Sequence, residues 1–326
     1  MPKAGSCLFA IGYFLYTRTR FGRYYHGKDI AKGKEKYNED GHTIIEPTMF
    51  DKLEITPIPI ALDNYAYIVM DTESNTCVVI DVGDEEAIMR FLDKMNVIPA
   101  AVLTTHKHWD HSAGNAGMRK RYQGLKVYGG YGDNVPDVTH TLMDIEQVKF
   151  GGLNFTAIHT PGHTVGHVSY LLDGQALGAP DCLFSGDHLF LGGCGRIFET
   201  PPLKMLKSLD IVGRLKKDTL VWPGHEYAVN NLEFACHIEP ENADAQARYE
   251  WAKAKRERRL TTCPSTIAEE LTYNPFLRTD KDSIMKKVTT LDRTDDTTVL
   301  VPPDDEMRAQ VLAELREQKD AFKYIQ

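Results

Sequence analysis

Residues 103–111 read LTTHKHWDH. The stretch places His106, His108, Asp110 and His111 directly after the small and apolar run PAAVLTT. In an extended strand and its continuation, alternate side chains share a face, so His106, His108 and Asp110 converge if the chain leaves the strand and turns. A helix would scatter them. Two helical histidines that share one metal sit at i and i+4, and this stretch has no such pair. The group therefore belongs at the carboxyl end of a strand. Asp110 and His111 are adjacent and point in different directions, which implies that the stretch serves two centres. A binuclear metal site is the hypothesis it raises.

The rest of the chain bounds what such a site can belong to. Its 326 residues, 42% apolar and 26% charged, suffice for one large or two ordinary globular domains. Lys+Arg 38 against Asp+Glu 46 leave a net charge of -8, which gives nucleic acid no general electrostatic reason to bind. Cys7, Cys77, Cys182, Cys194, Cys236 and Cys263 are scattered, without CxxC or dense disulfide spacing, as in a reducing compartment.

The amino terminus has a different texture. Fourteen uncharged residues, AGSCLFAIGYFLYT, lie between Lys3 and Arg18, and Arg18, Arg20, Arg23 and Lys28 precede the first acid, Asp29. As a helix rising about 1.5 Å per residue this run falls short of a bilayer core of roughly 30 Å. A cleaved secretory signal fits poorly, because arginines stand where a small-residue cleavage site belongs. Residues 1–28 are expected to be an interfacial anchor, a truncated signal-anchor or a basic organelle-targeting segment; the plain alternative is a tail that folds onto the domain or stays disordered. In the anchor reading, Leu8, Phe9, Ile11, Phe14 and Leu15 enter a membrane surface, with Tyr13 and Tyr16 at headgroup depth. The protein would then be membrane-associated or mitochondrial, and otherwise cytoplasmic. Residues 29–52, charged and without periodicity, read as a linker.

From Leu53 strand-like runs alternate with turns: LEITPIPI, NYAYIVMD and TCVVIDVG, the helical DEEAIMRFLDKMN, the strand before the opening motif, then LKVYGG, LNFTAIH, HVSYLLD, CLFSGD and TLVWPGH. Helical patterns fall at 115–123 and 202–215. Several strands end on an acid or a histidine, which predicts a layered α/β sandwich with its site along one edge. After Trp222 the chain becomes long, charged and helix-compatible over 226–260, and again over 306–323. A second, helical domain, 226–326, is expected to follow a catalytic domain over 53–225.

Four ligands in one loop do not fill two metal shells. Three further candidates lie at strand ends: His163 in HTPGHTVGH, Asp187 behind Gly186, and His225 behind Gly224. The glycines remove side-chain bulk where a metal must approach the backbone. His159 and His167 have equal local claims, and an aspartate after glycine is commonly a turn residue.

THKHWDH, TPGHT, SGDHLF and PGHEY, in that order, resemble the metal motifs of the metallo-β-lactamase superfamily, and so imply its αββα sandwich. PGHEYAVNNLEFACHIEPEN, CPSTIAEELTYNPFLRT and LREQKDAFK resemble the hydroxyacylglutathione hydrolases, or glyoxalase II. The likeness spans about residues 53–326, while GCGRIFE and FAIGYFLYTRTR resemble one hydrolase-like branch of that family more closely. It implies a first metal on His106, His108 and His163, a second on Asp110, His111 and His225, and Asp187 bridging both. The ions implied are zinc first, with iron or manganese as alternatives. Asp110 and Asp187 would act in catalysis as metal ligands, while a hydroxide shared by the two ions attacks the thioester carbonyl.

For substrate the resemblance implies a glutathione thioester such as S-lactoylglutathione, with Arg196, Phe198, Tyr227, Arg316 and Lys319 at the positions that hold the carrier. Two of these depart from the family pattern, which has Lys and Tyr where this chain has Arg196 and Phe198. Arg is not a neutral replacement for Lys, and Phe lacks a hydrogen-bonding hydroxyl. The competing readings are a membrane-tethered, weakly active or non-catalytic relative and a single-iron persulfide dioxygenase. The retained His225 and the helical tail speak against the dioxygenase. A monomer is the expected state.

Overall fold

The structure, a computed structural model, describes residues 7–288 and 303–322. Two helices open the described chain, α1 (Cys7–Arg18) and α2 (Arg20–Tyr37), the second capped by the Thr19 hydroxyl on the Phe21 amide. A seven-stranded sheet follows in the order β1 (Thr48–Met49), β2 (Leu53–Ile60), β3 (Asn64–Asp71), β4 (Thr76–Ile80), β5 (Pro99–Leu103), β6 (Lys126–Gly130) and β7 (His140–Leu142). The first four are antiparallel neighbours, and β4 through β7 run parallel. The parallel pairs need crossovers, supplied between β4 and β5 by α3 (Glu85–Met95) and between β5 and β6 by the short α4 (Trp109–Ser112) and α5 (Asn115–Arg121). Asp84 caps α3 by accepting from the Glu86 and Ala87 amides, and Asn96 ends it at φ 54.

The second sheet has six strands: β8 (Gln147–Phe150), β9 (Leu153–His159), β10 (Val168–Leu172), β11 (Cys182–Gly186), then β14 (Leu220–Pro223) and β15 (Ser265–Thr266) at the far edge. The hairpin β12 (Leu189–Phe190) and β13 (Gly193–Cys194) and helix α6 (Pro202–Gly213) lie between β11 and β14. Helices α7 (Ala228–Ile238), α8 (Ala243–Glu257), α9 (Ile267–Tyr273), α10 (Asp282–Val288) and α11 (Asp305–Ala321) follow.

Side-chain alternation produces four layers. Along β3, Tyr65, Tyr67 and Val69 enter the core between the sheets with Phe155, Tyr170, Phe184 and Trp222. Ala66, Ile68 and Met70 point the other way, under Ile88 and Leu92 of α3 and Met118 of α5. Both faces are covered, so β3 reads as a continuously buried run. On the second sheet Ile158, Leu183 and Val221 face outward into a third cluster with Leu209 of α6, Phe234 of α7 and Leu312 and Leu315 of α11. Each such large apolar side chain contributes about 1.5–3 kcal/mol on burial. This is the expected α/β sandwich with a carboxyl-terminal helical region. That region is built onto the second sheet: it shares the sheet's outer core, and β15 pairs antiparallel with β14.

Residues 29–52 depart from the linker expected of them. α2 runs through to Tyr37, and β1 pairs with β2. Lys32 and Lys34 find acidic partners in Asp29 and Glu86, and Gly33 lies so close to the Ala61 backbone that a Cβ would collide with it. α2 meets the domain through Gly22, His26 and Gly33, small or polar residues that give the sequence no apolar periodicity. α1 packs against the domain. Tyr13 and Tyr16 face inward, and Ile11, Phe14 and Leu15 are exposed. The side chains of Leu8 and Phe9 lie outside the described residues. Among the described residues no helix is long and apolar enough to cross a membrane.

Candidate metal centre

The sandwich brings the carboxyl ends of several strands to one edge. β5 delivers His106 and His108 and, through α4, Asp110 and His111; the turn between β9 and β10 delivers His163; β11 ends before Asp187 and β14 before His225. All seven ligand candidates meet there. His106, His108 and His163 form one group, Asp110, His111 and His225 a second, and His106, His111 and Asp187 a third that joins them, each with donor atoms within 4.8 Å of one another. Asp187 spans both halves: Oδ2 lies 3.3 Å from His163 Nε2, and Oδ1 lies 3.2 Å from His111 Nε2 and 3.3 Å from His225 Nε2. The backbone must come close for this. A Cβ on Gly224 would stand 2.6 Å from the His111 ring and 2.7 Å from Asp187 Oδ1, and Gly186 sits at φ +48.

The hydrogen bonds around the cluster show which ring nitrogens carry lone pairs. His163 Nδ1 donates to the Arg196 carbonyl at 2.9 Å. His106 Nδ1 meets the Thr105 hydroxyl at 3.1 Å, and that hydroxyl donates to Asp81, so the ring must be the donor. His111 Nδ1 lies 2.9 Å from Asp81 Oδ2, and His225 Nδ1 lies 2.9 Å from Asp63 Oδ1. With the outward nitrogens of His106 and His163 protonated, their Nε2 lone pairs face inward. His108 Nδ1 stands 3.0 Å from His106 Nε2 and 2.9 Å from His163 Nε2, so that with the His108 proton on Nε2 three lone pairs converge where a cation would be held. Asp187 Oδ1 is buried with no hydrogen-bond donor. The donor set fits divalent metal ions.

Electrostatics agree. Burial, reinforced by neighbouring imidazoles, holds His106 and His108 well below the ordinary histidine range, and burial lowers His163 too, so all three are neutral near pH 7. In the other half, burial opposes charge on His111, but Asp187, Asp110 and Asp81 outweigh it and hold its pKa up at about 10. Burial likewise opposes the ionised carboxylates of Asp110 and Asp187, yet His111 and His225 hold both well below the usual carboxylate range. That half of the cluster demands positive charge, which a proton or a metal cation can supply.

A cavity of about 510 Å³ opens over the cluster, and all five expected substrate positions line it. Tyr227 stacks on the His225 ring at 4.6 Å, and the Phe198 ring lies 5.1 Å from that of His163. On the opposite wall Arg316 donates to the Cys194 carbonyl and to Asp320, which also accepts from Arg196 Nε at 3.1 Å. Lys319 donates to the Asn230 carbonyl. Burial, then Arg316 beside it, brings the Lys319 ammonium down to about 7.

Several contributors escaped the sequence reading. Asp81 at φ 58 accepts from the Thr105 amide and hydroxyl as well as facing His111, and Asp63 and Asn64 flank His225 and Asp110. Asp81 had a signal, an acid at a strand end like the ligands themselves. Lys107, buried and placed between His106 and His108 in sequence, pairs with Glu199 at 2.6 Å. Tyr13 and Tyr16 of α1 line the same cavity, with Tyr13 OH 3.0 Å from His108 Nε2 and Tyr16 OH 3.5 Å from Asp110 Oδ1.

A two-sheet sandwich with histidines and aspartates clustered along one edge defines a class, and sequence comparison names it. Residues 61–131 and 118–225 match the metallo-beta-lactamase superfamily, and residues 226–322 match the hydroxyacylglutathione hydrolase C-terminus. The cytoplasmic hydroxyacylglutathione hydrolase of Arabidopsis thaliana is 40% identical over 238 residues, which cover 72% of this chain and 92% of that protein. The chain belongs to the hydroxyacylglutathione hydrolase family. Two solved structures share the fold at 20% identity. A metallo-beta-lactamase from Staphylococcus aureus has a TM-score of 0.51 over 78% of this chain and 68% of its own. ETHE1 from Myxococcus xanthus has a TM-score of 0.50 over 85% of this chain and 99% of its own.

Proposed function

We propose that the chain hydrolyses a glutathione thioester, an S-2-hydroxyacylglutathione such as S-lactoylglutathione, to glutathione and the hydroxy acid. The observation that carries this is the convergence of seven histidine and aspartate side chains beneath a cavity whose wall presents Arg196, Arg316 and Lys319. His106, His108 and His163 would hold one divalent ion and Asp110, His111 and His225 another, with Asp187 between them. Zinc is the first choice, and iron and manganese suit the same mixed imidazole and carboxylate set. Ions bound there supply an acidified water as nucleophile and a Lewis acid for the thioester carbonyl.

The remaining work falls to the chain's own residues. Asp63 and Asp81 fix the tautomers of His225 and His111, so that each presents Nε2 to the centre. Asp110 and Asp187, held ionised, act as ligands rather than as proton carriers. Arg316 and Lys319 attract the carboxylates of the carrier, and Tyr227 buttresses His225. The departing sulfur needs no general acid, because a thiol of pKa about 8.5 leaves readily as thiolate. Residues 53–225 would form the catalytic unit and 226–326 the part that grips the carrier. The free thiols of Cys77, Cys182, Cys194, Cys236 and Cys263 suit a reducing compartment, and the Arabidopsis relative carries the word cytoplasmic in its name. Attachment to a membrane surface would use the exposed Ile11, Phe14 and Leu15.

The test is release of glutathione from S-lactoylglutathione by the full chain, its abolition by a chelator and its return with added metal. No release by metal-replete protein would reject the reading.

A further inference from the structure

Helix α1 reaches the cluster from outside the sandwich, and its contacts are specific. The indole of Trp109, which lies between the ligand candidates His108 and Asp110 in sequence, donates to the Tyr16 carbonyl at 2.7 Å. At the turn into α2 a Cβ on Gly22 would collide with the Tyr16 backbone and stand 2.7 Å from the same indole nitrogen. His26 on α2 is buried and bonded to the Gly83 carbonyl at 2.8 Å. Thus α2 and the Trp109 indole of α4 hold α1 at a fixed height. One turn before Tyr16, the Tyr13 ring stands 5.1 Å from Phe198, and its hydroxyl lies 3.0 Å from both His108 Nε2 and Glu199 Oε1.

The direction of these bonds follows from the partners. Glu199 pairs with the buried Lys107 ammonium at 2.6 Å and accepts from the Val165 amide at 2.7 Å, so it is an ionised acceptor. The Tyr13 proton therefore points at Glu199, and the phenol oxygen accepts from His108. That requires His108 to carry its proton on Nε2, which leaves the Nδ1 lone pair facing His106 and His163.

We propose that Tyr13 is a positioning residue: from a helix outside the sandwich it locks the His108 ring and tautomer, through the relay Lys107–Glu199–Tyr13–His108, so that Nδ1 can ligate. The amino-terminal helix is then part of the metal centre and not only an appendage to it. Outward hydrogen bonds on metal-binding imidazoles have this role generally, and losing one typically costs 10–100-fold in metal affinity. His106, His163, His111 and His225 receive theirs from within the sandwich or its loops; His108 receives its own from α1.

The proposal rests on the reading of the cluster as a metal centre, so its test measures metal first. Full-length wild type, Tyr13→Phe and, as a control on the exposed face of the same helix, Phe14→Ser are titrated with cobalt(II) against a chelator. Tyr13→Phe keeps the ring packed on Phe198 and removes only the hydroxyl. The expected result is a loss of about 10–100-fold in affinity at the His106–His108–His163 site, with an altered ligand-field spectrum and a second site changed by less than about threefold. In the zinc-loaded protein kcat should fall while KM changes little. Phe14→Ser should match wild type in every readout. Unchanged affinity in Tyr13→Phe, equal weakening of both sites, or a raised KM with normal metal binding overturns the proposal alone. A wild-type chain that takes up no cobalt removes the metal reading and the proposal with it.

Discussion

Asp81→Asn acts on the second half of the centre through Asp81 Oδ2, which faces His111 Nδ1 and also accepts from the Thr105 hydroxyl. The native carboxylate accepts from the Thr105 amide at 2.7 Å and faces His111 Nδ1 at 2.9 Å. Asparagine tolerates the backbone at φ 58 and keeps one oxygen for the Thr105 amide. Its amide nitrogen, however, faces His111 with hydrogens. The imidazole must then accept at Nδ1 and move its proton to Nε2, which points an N–H where a lone pair stood. A charge-assisted hydrogen bond of this kind is worth about 1.5–3 kcal/mol. Spread over metal affinity that is about 10–100-fold, since every 1.4 kcal/mol is about tenfold. A fold of this size, typically stable by about 5–15 kcal/mol, survives such a change. Dialysis against a weak chelator followed by elemental analysis should find one ion retained in Asp81→Asn where wild type keeps two, with the thermal midpoint lowered by only a few degrees (on the order of 2–4 °C per kcal/mol). Two ions held at wild-type affinity would refute the tautomer reasoning.

Other consequences are as direct. Asp187→Ala should weaken both ions together, because its two oxygens face opposite halves of the cluster; elemental analysis showing one ion at full occupancy contradicts the bridge. Lys319, whose pKa stands at about 7 against an ordinary 10.5, is charged below that pH and neutral above it. KM for a glutathione thioester should therefore rise as pH increases through about 7, and Lys319→Arg, charged throughout, should flatten the profile. Stability moves the other way: between about 7 and 10.5 the unfolded chain binds a proton that the folded one does not, so this group's contribution improves with rising pH. Calorimetry of wild type and Lys319→Met across that window checks the sign. Replacing Ile11, Phe14 and Leu15 together by serine should abolish flotation with anionic vesicles if α1 lies on a membrane, and equal partitioning of both chains into the soluble fraction would remove that reading.

Local patterns made much of this legible. The ligand candidates stand at strand ends, where period-two alternation and the Gly186 and Gly224 signals announce them without reference to the rest of the chain. β3 and β11 could be read because burial on both faces leaves nearly unbroken apolar runs. What stayed hidden depends on distant partners. β15 is two residues long and exists because β14 presents an edge to pair with. Asp63 looks like any loop acid until His225 arrives from 162 residues away in sequence. Tyr13 and Tyr16 read as membrane-interface aromatics, since an apolar helix with a tyrosine face has the same composition whether that face meets headgroups or a polar cavity. Only the positions of Trp109 and Glu199 separate the two.

The central claim is that two ions on these seven side chains hydrolyse a glutathione thioester. Titrating metal-stripped, full-length protein with zinc while following S-lactoylglutathione cleavage tests it in one measurement. The account predicts a rate that climbs with added metal and reaches its plateau at two equivalents per chain. A plateau at one equivalent, or no cleavage at any loading, would contradict it.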